Sequence, residues 1–271
     1  MTLNFRCIWW TEAHMYLRYK KKRDRVESVT GFHPVFVSQG KICFSKARIY
    51  GIIDKFKKEV GTMGKMKVDH YVVGPVQTNC YFAVNTETNE ILVIDPGADA
   101  KELASRIRFD GYTPVAVLLT HGHFDHATGA QALADEFGIQ IYAHEAEKQT
   151  LEDEEINLCG MVGEHHVYHA DVYLKDEQEL DLAGFHIRVL FTPGHTPGGC
   201  CYYFPYEDAV FAGDTLFCGS VGRTDFPGGS MSQLIRGIKD KLMTLPDHTT
   251  VYTGHNDITT IEQERMYNPY L

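Results

Sequence analysis

The segment Thr120–His126 reads T-H-G-H-F-D-H and closes the apolar stretch Val115–Thr120. No other feature constrains this chain as strongly. Three imidazoles and a carboxylate fall within six residues, at the end of what reads as a short, fully buried strand. At the chain's own histidine frequency, such a cluster arises by accident on the order of two times in a thousand chains. Gly122 allows a sharp turn, so His121 and His123 can project to one side and grip one ion. Asp125 and His126 sit where the next helix begins, displaced far enough to serve a second ion. Neutral imidazole and carboxylate suit zinc, iron and manganese.

Four donors are too few for two ions with an open position. Three further segments repeat the same context. His195 lies in T-P-G-H-T-P-G after the strand His186–Phe191, Asp214 in F-A-G-D-T after Ala209–Ala212, and His255 in Y-T-G-H-N after Thr250–Thr253. Each candidate follows a short apolar strand and a glycine, and strand ends on one rim are where α/β proteins gather ligand sites. Asp214 has a competing reading as a helix cap at Thr215. His165, His166 and His169 lie in a polar segment with no strand before it, and no site role is assigned to them.

The flanking pattern alternates strand and helix from Met66 onward. Strands are predicted at Lys67–Val73, Asn79–Val84, Glu90–Ile94, Val115–Thr120, Ile139–Ala143, Glu179–Leu182, His186–Phe191, Cys200–Phe204, Ala209–Ala212 and Thr250–Thr253. Helices are predicted at Lys101–Arg108, Ala127–Phe137, His144–Leu151, Met231–Met243 and Ile258–Met266, while residues 152–170 resist assignment. Interspersed strands and helices imply layered sheets covered by helices.

Charge divides the chain. Residues 1–65 hold 14 Lys/Arg against 5 Asp/Glu, and residues 66–271 hold 12 against 31. The expected domains are therefore a basic extension over 1–65 and a domain over 66–271 that carries all the candidate ligands, with Met63 or Met66 as an alternative native start. The extension carries Trp9-Trp10 and a basic run from Lys20 to Arg25, read as a solvated segment. An acidic body repels nucleic acid. There is no apolar run of about 18 residues to cross a membrane and no secretory signal order. The seven cysteines lack C-x-x-C spacing and read as reduced thiols in a cytoplasmic setting. Cys200 and Cys201, adjacent on a predicted strand, should face opposite ways and pack as small hydrophobes.

With these residues in view, the chain resembles the metallo-β-lactamase superfamily, and within it the glyoxalase II-like (hydroxyacylglutathione hydrolase-like) enzymes. The resemblance spans residues 66–271. It rests on V-I-D-P-G at Val93–Gly97, T-H-G-H-F-D-H, T-P-G-H-T-P-G, A-G-D-T-L-F, G-R-T-D-F-P-G-G-S at Gly222–Ser230, and the closing T-T-I-E-Q-E-R-M-Y-N-P-Y-L. It implies an α/β four-layer αβ/βα sandwich with two mixed sheets and a site at their shared edge. The implied ligand sets are His121, His123 and His195 for a first metal and Asp125, His126 and His255 for a second, with Asp214 bridging. Two divalent ions follow as cofactors, zinc first, with iron or manganese as alternatives. The implied activity is hydrolysis of a small-molecule thioester such as S-lactoylglutathione by a metal-bridging hydroxide, with Asp125 as catalytic residue orienting the nucleophile. Asp95 is a candidate to orient a ligating histidine, and Arg223 with Asp225 a candidate supporting pair beside Asp214. Leu271 follows closely on His255, so the resemblance is to the short single-domain branch, without the C-terminal region that grips glutathione in glyoxalase II. Asn256-Asp257-Ile258 also stands where a Gly-Pro sequence is usual. Alternatives are a persulfide dioxygenase using one iron, a lactonase or other hydrolase of the fold, and a non-catalytic binding module.

Overall fold

The computed structural model describes residues 66–271 in full and, before them, the backbone of four strands: β1 (Arg6–Thr11), β2 (His14–Arg18), β3 (Phe36–Ser38) and β4 (Lys41–Ser45). The chain divides into two compact units, Met1–Met63 and Gly64–Leu271. In the first, the four strands form one antiparallel sheet in the order β1-β2-β4-β3, where the sequence shows no sustained period. The basic run at Lys20–Arg25, Met63, and the side chains of Trp9, Trp10, Cys7 and Cys43 lie outside the described residues.

In the second unit, β5 (Met66–Val73), β6 (Thr78–Asn85), β7 (Glu90–Ile94), β8 (Thr113–Leu118), β9 (Gln140–His144) and β10 (Val172–Leu174) form a six-stranded sheet in the order β10-β9-β8-β7-β6-β5. A second six-stranded sheet has the order β11-β12-β13-β14-β17-β18. It comprises β11 (Glu179–Leu182), β12 (Phe185–Phe191), β13 (Cys200–Phe204), β14 (Ala209–Gly213), β17 (Thr250–Thr253) and β18 (Thr259–Thr260). Both sheets are mixed: β7, β8, β9 and β10 run parallel, as do β14 and β17, and the other neighbours are antiparallel. Leu216–Phe217 (β15) and Ser220–Val221 (β16) make a small hairpin.

Three hydrophobic cores hold the layers. Along β6, Tyr81 and Ala83 face the second sheet, where they join Phe185, Tyr202, Phe204 and Phe211. Phe82 and Val84 face the other way, against helix α1 (Ala100–Asp110) through Leu103 and Ile107 and α3 (Ala130–Phe137) through Leu133. The outer face of the second sheet packs against α5 (Met231–Gly237) and α6 (Ile261–Tyr267), with Leu234 and Ile261 against Val210 and Val251. The result is a helix–sheet–sheet–helix sandwich, and strands buried on both faces explain the continuous apolar runs. Cys200 joins the inter-sheet core and Cys201 the outer one, on opposite faces of β13.

Four expected helices differ. The one expected over Ala127–Phe137 begins earlier, as α2 (Phe124–Ala127), and restarts as α3, because the Gly129 amide turns aside to the Pro96 carbonyl. His144–Leu151 is a 3-10 turn, Glu145–Glu147, followed by α4 (Lys148–Glu152). Met231–Met243 is α5 followed by a π turn, Ile238–Leu242. Residues 258–260 are not helical, since Thr259 and Thr260 pair with β17. The residues left unassigned hold a 3-10 turn at Cys159–Val162.

Candidate metal centre

At one edge of the inter-sheet core, hydrogen bonds stitch the sheets together. The Cys200 amide donates to the Thr120 carbonyl (2.9 Å), the Tyr202 hydroxyl to Leu119 (2.8 Å) and the Tyr81 hydroxyl to Thr253 (2.8 Å). The loops after β8, β12, β14 and β17 emerge together there. They carry His121, His123, Asp125, His126, His195, Asp214 and His255, so all seven sequence candidates meet in one cluster.

Their polar atoms form two groups. His121, His123 and His195 gather with donor atoms within 4.8 Å of one another, as do Asp125, His126 and His255. His195 Nε2 lies 2.9 Å from His123 Nδ1. In the second group His255 Nε2 stands 3.2 Å from Asp125 Oδ2 and 3.4 Å from His126 Nε2, and His126 Nε2 stands 3.6 Å from Asp125 Oδ2. Asp214 reaches both groups, with Oδ1 3.4 Å from His126 Nε2, and Oδ2 3.5 Å from His195 Nε2 and 3.6 Å from His255 Nε2. Donors bound tetrahedrally at 2.0–2.1 Å stand about 3.3 Å apart, so these spacings are those of ligand sets around small cations. Buried polar atoms normally have hydrogen-bond partners, yet His121 Nε2, His123 Nε2 and Asp214 Oδ1 have none. This donor set fits two divalent ions.

The surrounding bonds fix which nitrogen is presented. His195 Nδ1 donates to the Arg223 carbonyl (2.7 Å), His255 Nδ1 to the Gln77 carbonyl (3.3 Å) and His126 Nδ1 to Asp95 Oδ2 (3.0 Å). The Thr120 hydroxyl donates to Asp95 Oδ2 (2.6 Å) and takes the proton of His121 Nδ1 (3.1 Å). With Nδ1 engaged, each of these four rings turns Nε2 to the cluster, as ligating histidines do. Thr78 donates to Asp125 Oδ2 at 3.0 Å. Close packing explains the glycine before His255: a Cβ on Gly254 would lie 2.1 Å from Asp214 Oδ1 and 2.9 Å from His126 Cε1.

Electrostatics separates the two groups. Burial, helped by the neighbouring imidazoles, holds His121 well below its usual range and His123 down to about 3. Burial opposes charge on His126 as well, but Asp125, Asp214 and Asp95 outweigh it and raise that group. His255 is raised despite its burial, through Asp125 and Asp214. Burial likewise works against ionised Asp214, and His126, His195 and His255 overcome it, holding the carboxyl well below the carboxylate range.

Of the supporting candidates, Asp95 orients His126 as expected. The Arg223–Asp225 pair forms (2.6 and 2.7 Å) but is exposed and stacks on Phe226; Arg223 reaches the cluster only through its backbone carbonyl. Asp214 lies in a loop between β14 and β15 and caps no helix. His165, His166 and His169 pair with carboxylates at the surface. Thr78, Asn79 and Glu147 escape sequence reading. Asn79 holds the His255 loop, its backbone amide donating to Gly254 and its side chain to Thr253 and Asn256.

Comparison with known proteins agrees with this geometry. The profile of the metallo-beta-lactamase superfamily matches residues 73–255. The chain belongs to the metallo-beta-lactamase superfamily. It is 40% identical over 208 residues to "Probable metallo-hydrolase YqgX" of Bacillus subtilis, spanning 76% of this chain and 98% of that protein. It is 37% identical over 210 residues to "Hydroxyacylglutathione hydrolase GloC" of Haemophilus influenzae, again 76% and 98%. Among solved structures, BLEG-1 B3 metallo-beta-lactamase superposes with a TM-score of 0.72 at 39% identity, covering 76% and 99% of the two chains. TTHA1623 in a di-iron-bound form superposes at 0.68 and 33%, covering 75% and 100%. Among the described residues, no helix is long and apolar enough to cross a membrane.

Proposed function

We propose that this member of the metallo-beta-lactamase superfamily is a binuclear metal-dependent hydrolase that cleaves small thioesters of the hydroxyacylglutathione type. The observation that carries this reading is the pair of donor groups joined by Asp214. His121, His123 and His195 would hold one divalent ion, Asp125, His126 and His255 the other, and Asp214 would bridge them. Zinc, iron and manganese all accept this set, and the similar structure TTHA1623 is named as di-iron-bound. When bound, such a pair polarises a carbonyl and lowers the pKa of water to near neutrality.

The chain's own residues supply the rest. Asp125 Oδ2 takes a hydrogen bond from Thr78, which fixes the carboxylate so that it can orient an attacking water. Asp95 and the Arg223 and Gln77 carbonyls hold His126, His195 and His255 with Nε2 turned to the cluster. A groove of about 500 Å³ lined by Val73, Pro75, Val76, Phe124, Val162 and Tyr168 runs up to Asp125 and can seat the substrate. A thiolate leaves with little protonation, so no further acid is needed. The thioester part is supported by the likeness to the protein named hydroxyacylglutathione hydrolase.

The test is thiol release from a panel of hydroxyacyl thioesters, S-lactoylglutathione included, by metal-loaded protein. Release should be abolished in His121→Ala, which removes a donor from the first group. No release at millimolar substrate, or oxygen uptake with glutathione persulfide in its place, would replace this reading.

A further inference from the structure

Glu147 lies outside both donor groups, yet it is fully buried. It ends the 3-10 turn after β9, and among the described residues no Lys or Arg forms an ion pair with it. A buried, unpaired carboxylate is costly, and burial pushes this one up to about 7 against the Gly122 amide and Thr196 hydroxyl that favour its ionised form. A side chain of this kind in a sheet-to-sheet seam is explained by what it holds.

Its two oxygens hold different loops. Oε1 accepts from the Gly122 amide at 2.8 Å, between His121 and His123. Oε2 accepts from the Thr196 hydroxyl at 3.0 Å, next to His195. The first loop follows β8 in one sheet and the second follows β12 in the other. The turn itself is anchored on both sides. His144 Nδ1 accepts from the Ala146 amide, and the His144 ring stacks on Phe191, the last residue of β12, at 4.2 Å and 9°. Space for the carboxylate exists because residue 198 is glycine; a Cβ there would lie 2.4 Å from Oε2.

We propose that Glu147 is a positioning residue for the first donor group alone, fixing the distance between the His121/His123 loop and the His195 loop. The inference rests on the binuclear reading above. The second group is held by other contacts, namely Asp95 to His126, Thr78 to Asp125 and Gln77 to His255, none of which involves Glu147. Losing Glu147 therefore loosens one site and spares the other.

The experiment places Glu147→Gln and Glu147→Ala in two backgrounds of the full chain. His255→Ala leaves the first site to be measured, and His195→Ala the second. Zinc affinity is read by competition with a chromophoric chelator, metal content by mass spectrometry, and metal-free stability by thermal melting. In the His255→Ala background Glu147→Ala should weaken zinc by about 10–100-fold, with Glu147→Gln, which keeps shape and one acceptor, in between. In the His195→Ala background neither variant should shift affinity. Equal weakening in both backgrounds, or unchanged affinity in both with only a lower melting temperature, would overturn the proposal and leave Glu147 a structural plug. Should Glu147→Ala fail to fold, Glu147→Gln decides alone. Failure of the parent chain to bind two metals would instead sink the binuclear reading.

Discussion

At the scale of single residues, the two donor groups differ in the protons they hold before metal arrives. His121 and His123 are kept neutral by burial and by one another, with His123 down to about 3. His126 and His255 are raised, Asp125 and Asp214 overcoming their burial. A cation entering the second group must therefore displace protons, and one entering the first through His121 and His123 need not. Zinc affinity at the second site should fall by up to about tenfold per pH unit below the raised pKa of His126, more steeply than at the first site, where His121 and His123 carry no proton to displace. Isothermal titration in buffers of different ionisation enthalpy measures the protons released, and equal slopes at both sites would contradict the assignment. A histidine raised in the folded state adds stability to the metal-free protein that is present below its unfolded value and is lost as pH rises through the folded one. The seven donors were legible in sequence because four crowd into T-H-G-H-F-D-H and the other three each follow a short apolar strand and a glycine. Glu147 was not: in H-E-A-E-K-Q it is one of several charged residues, and its role depends on Thr196, 49 positions away. A faint signal existed in its spacing of four from buried Leu151.

At the scale of elements, local sequence set most strands and helices but not their breaks. The interruption at Thr128-Gly129 depends on the Pro96 carbonyl, a contact no helical period reports. The same corner yields a sharp expectation. A Cβ on Gly97 would fall 1.4 Å from the Asp125 carbonyl oxygen, so Gly97→Ala must push α2 and its two donors aside. It should cost about 1–3 kcal/mol and strip metal from the second site first. Gly160→Ala, where a Cβ meets nothing within 4 Å, should stay within about 0.5 kcal/mol with metal content unchanged. Chemical denaturation and metal analysis of both variants make the comparison, and equal behaviour would refute it.

At the scale of the whole molecule, the alternation of strand and helix announced layered sheets, whereas strand order was not legible, since pairing β14 with β17 joins residues about forty positions apart through no local pattern. The donors come from loops of both sheets, so an ion bound there ties the halves of Gly64–Leu271 together. An ion at about a thousandfold excess over Kd adds about 4 kcal/mol to the folded state. A chelator should then lower the melting temperature of this unit by roughly 8–16 °C, reversed by adding metal back; an unchanged melting curve with metal demonstrably removed would argue against the shared centre.

The ligand-bearing loops all lie at one edge of the sandwich. The far edge of the two sheets turns through residues 86–89, 183–184 and 205–208, none of which carries a donor, and Asn85 and Asp208 bond across it to Ala183 and Thr250. The molecule thus separates a working face from a passive one. A reporter, an affinity handle or a new pair of termini belongs at 86–89 or 205–208, where the chain can be cut and extended while the chemistry at the other end goes undisturbed.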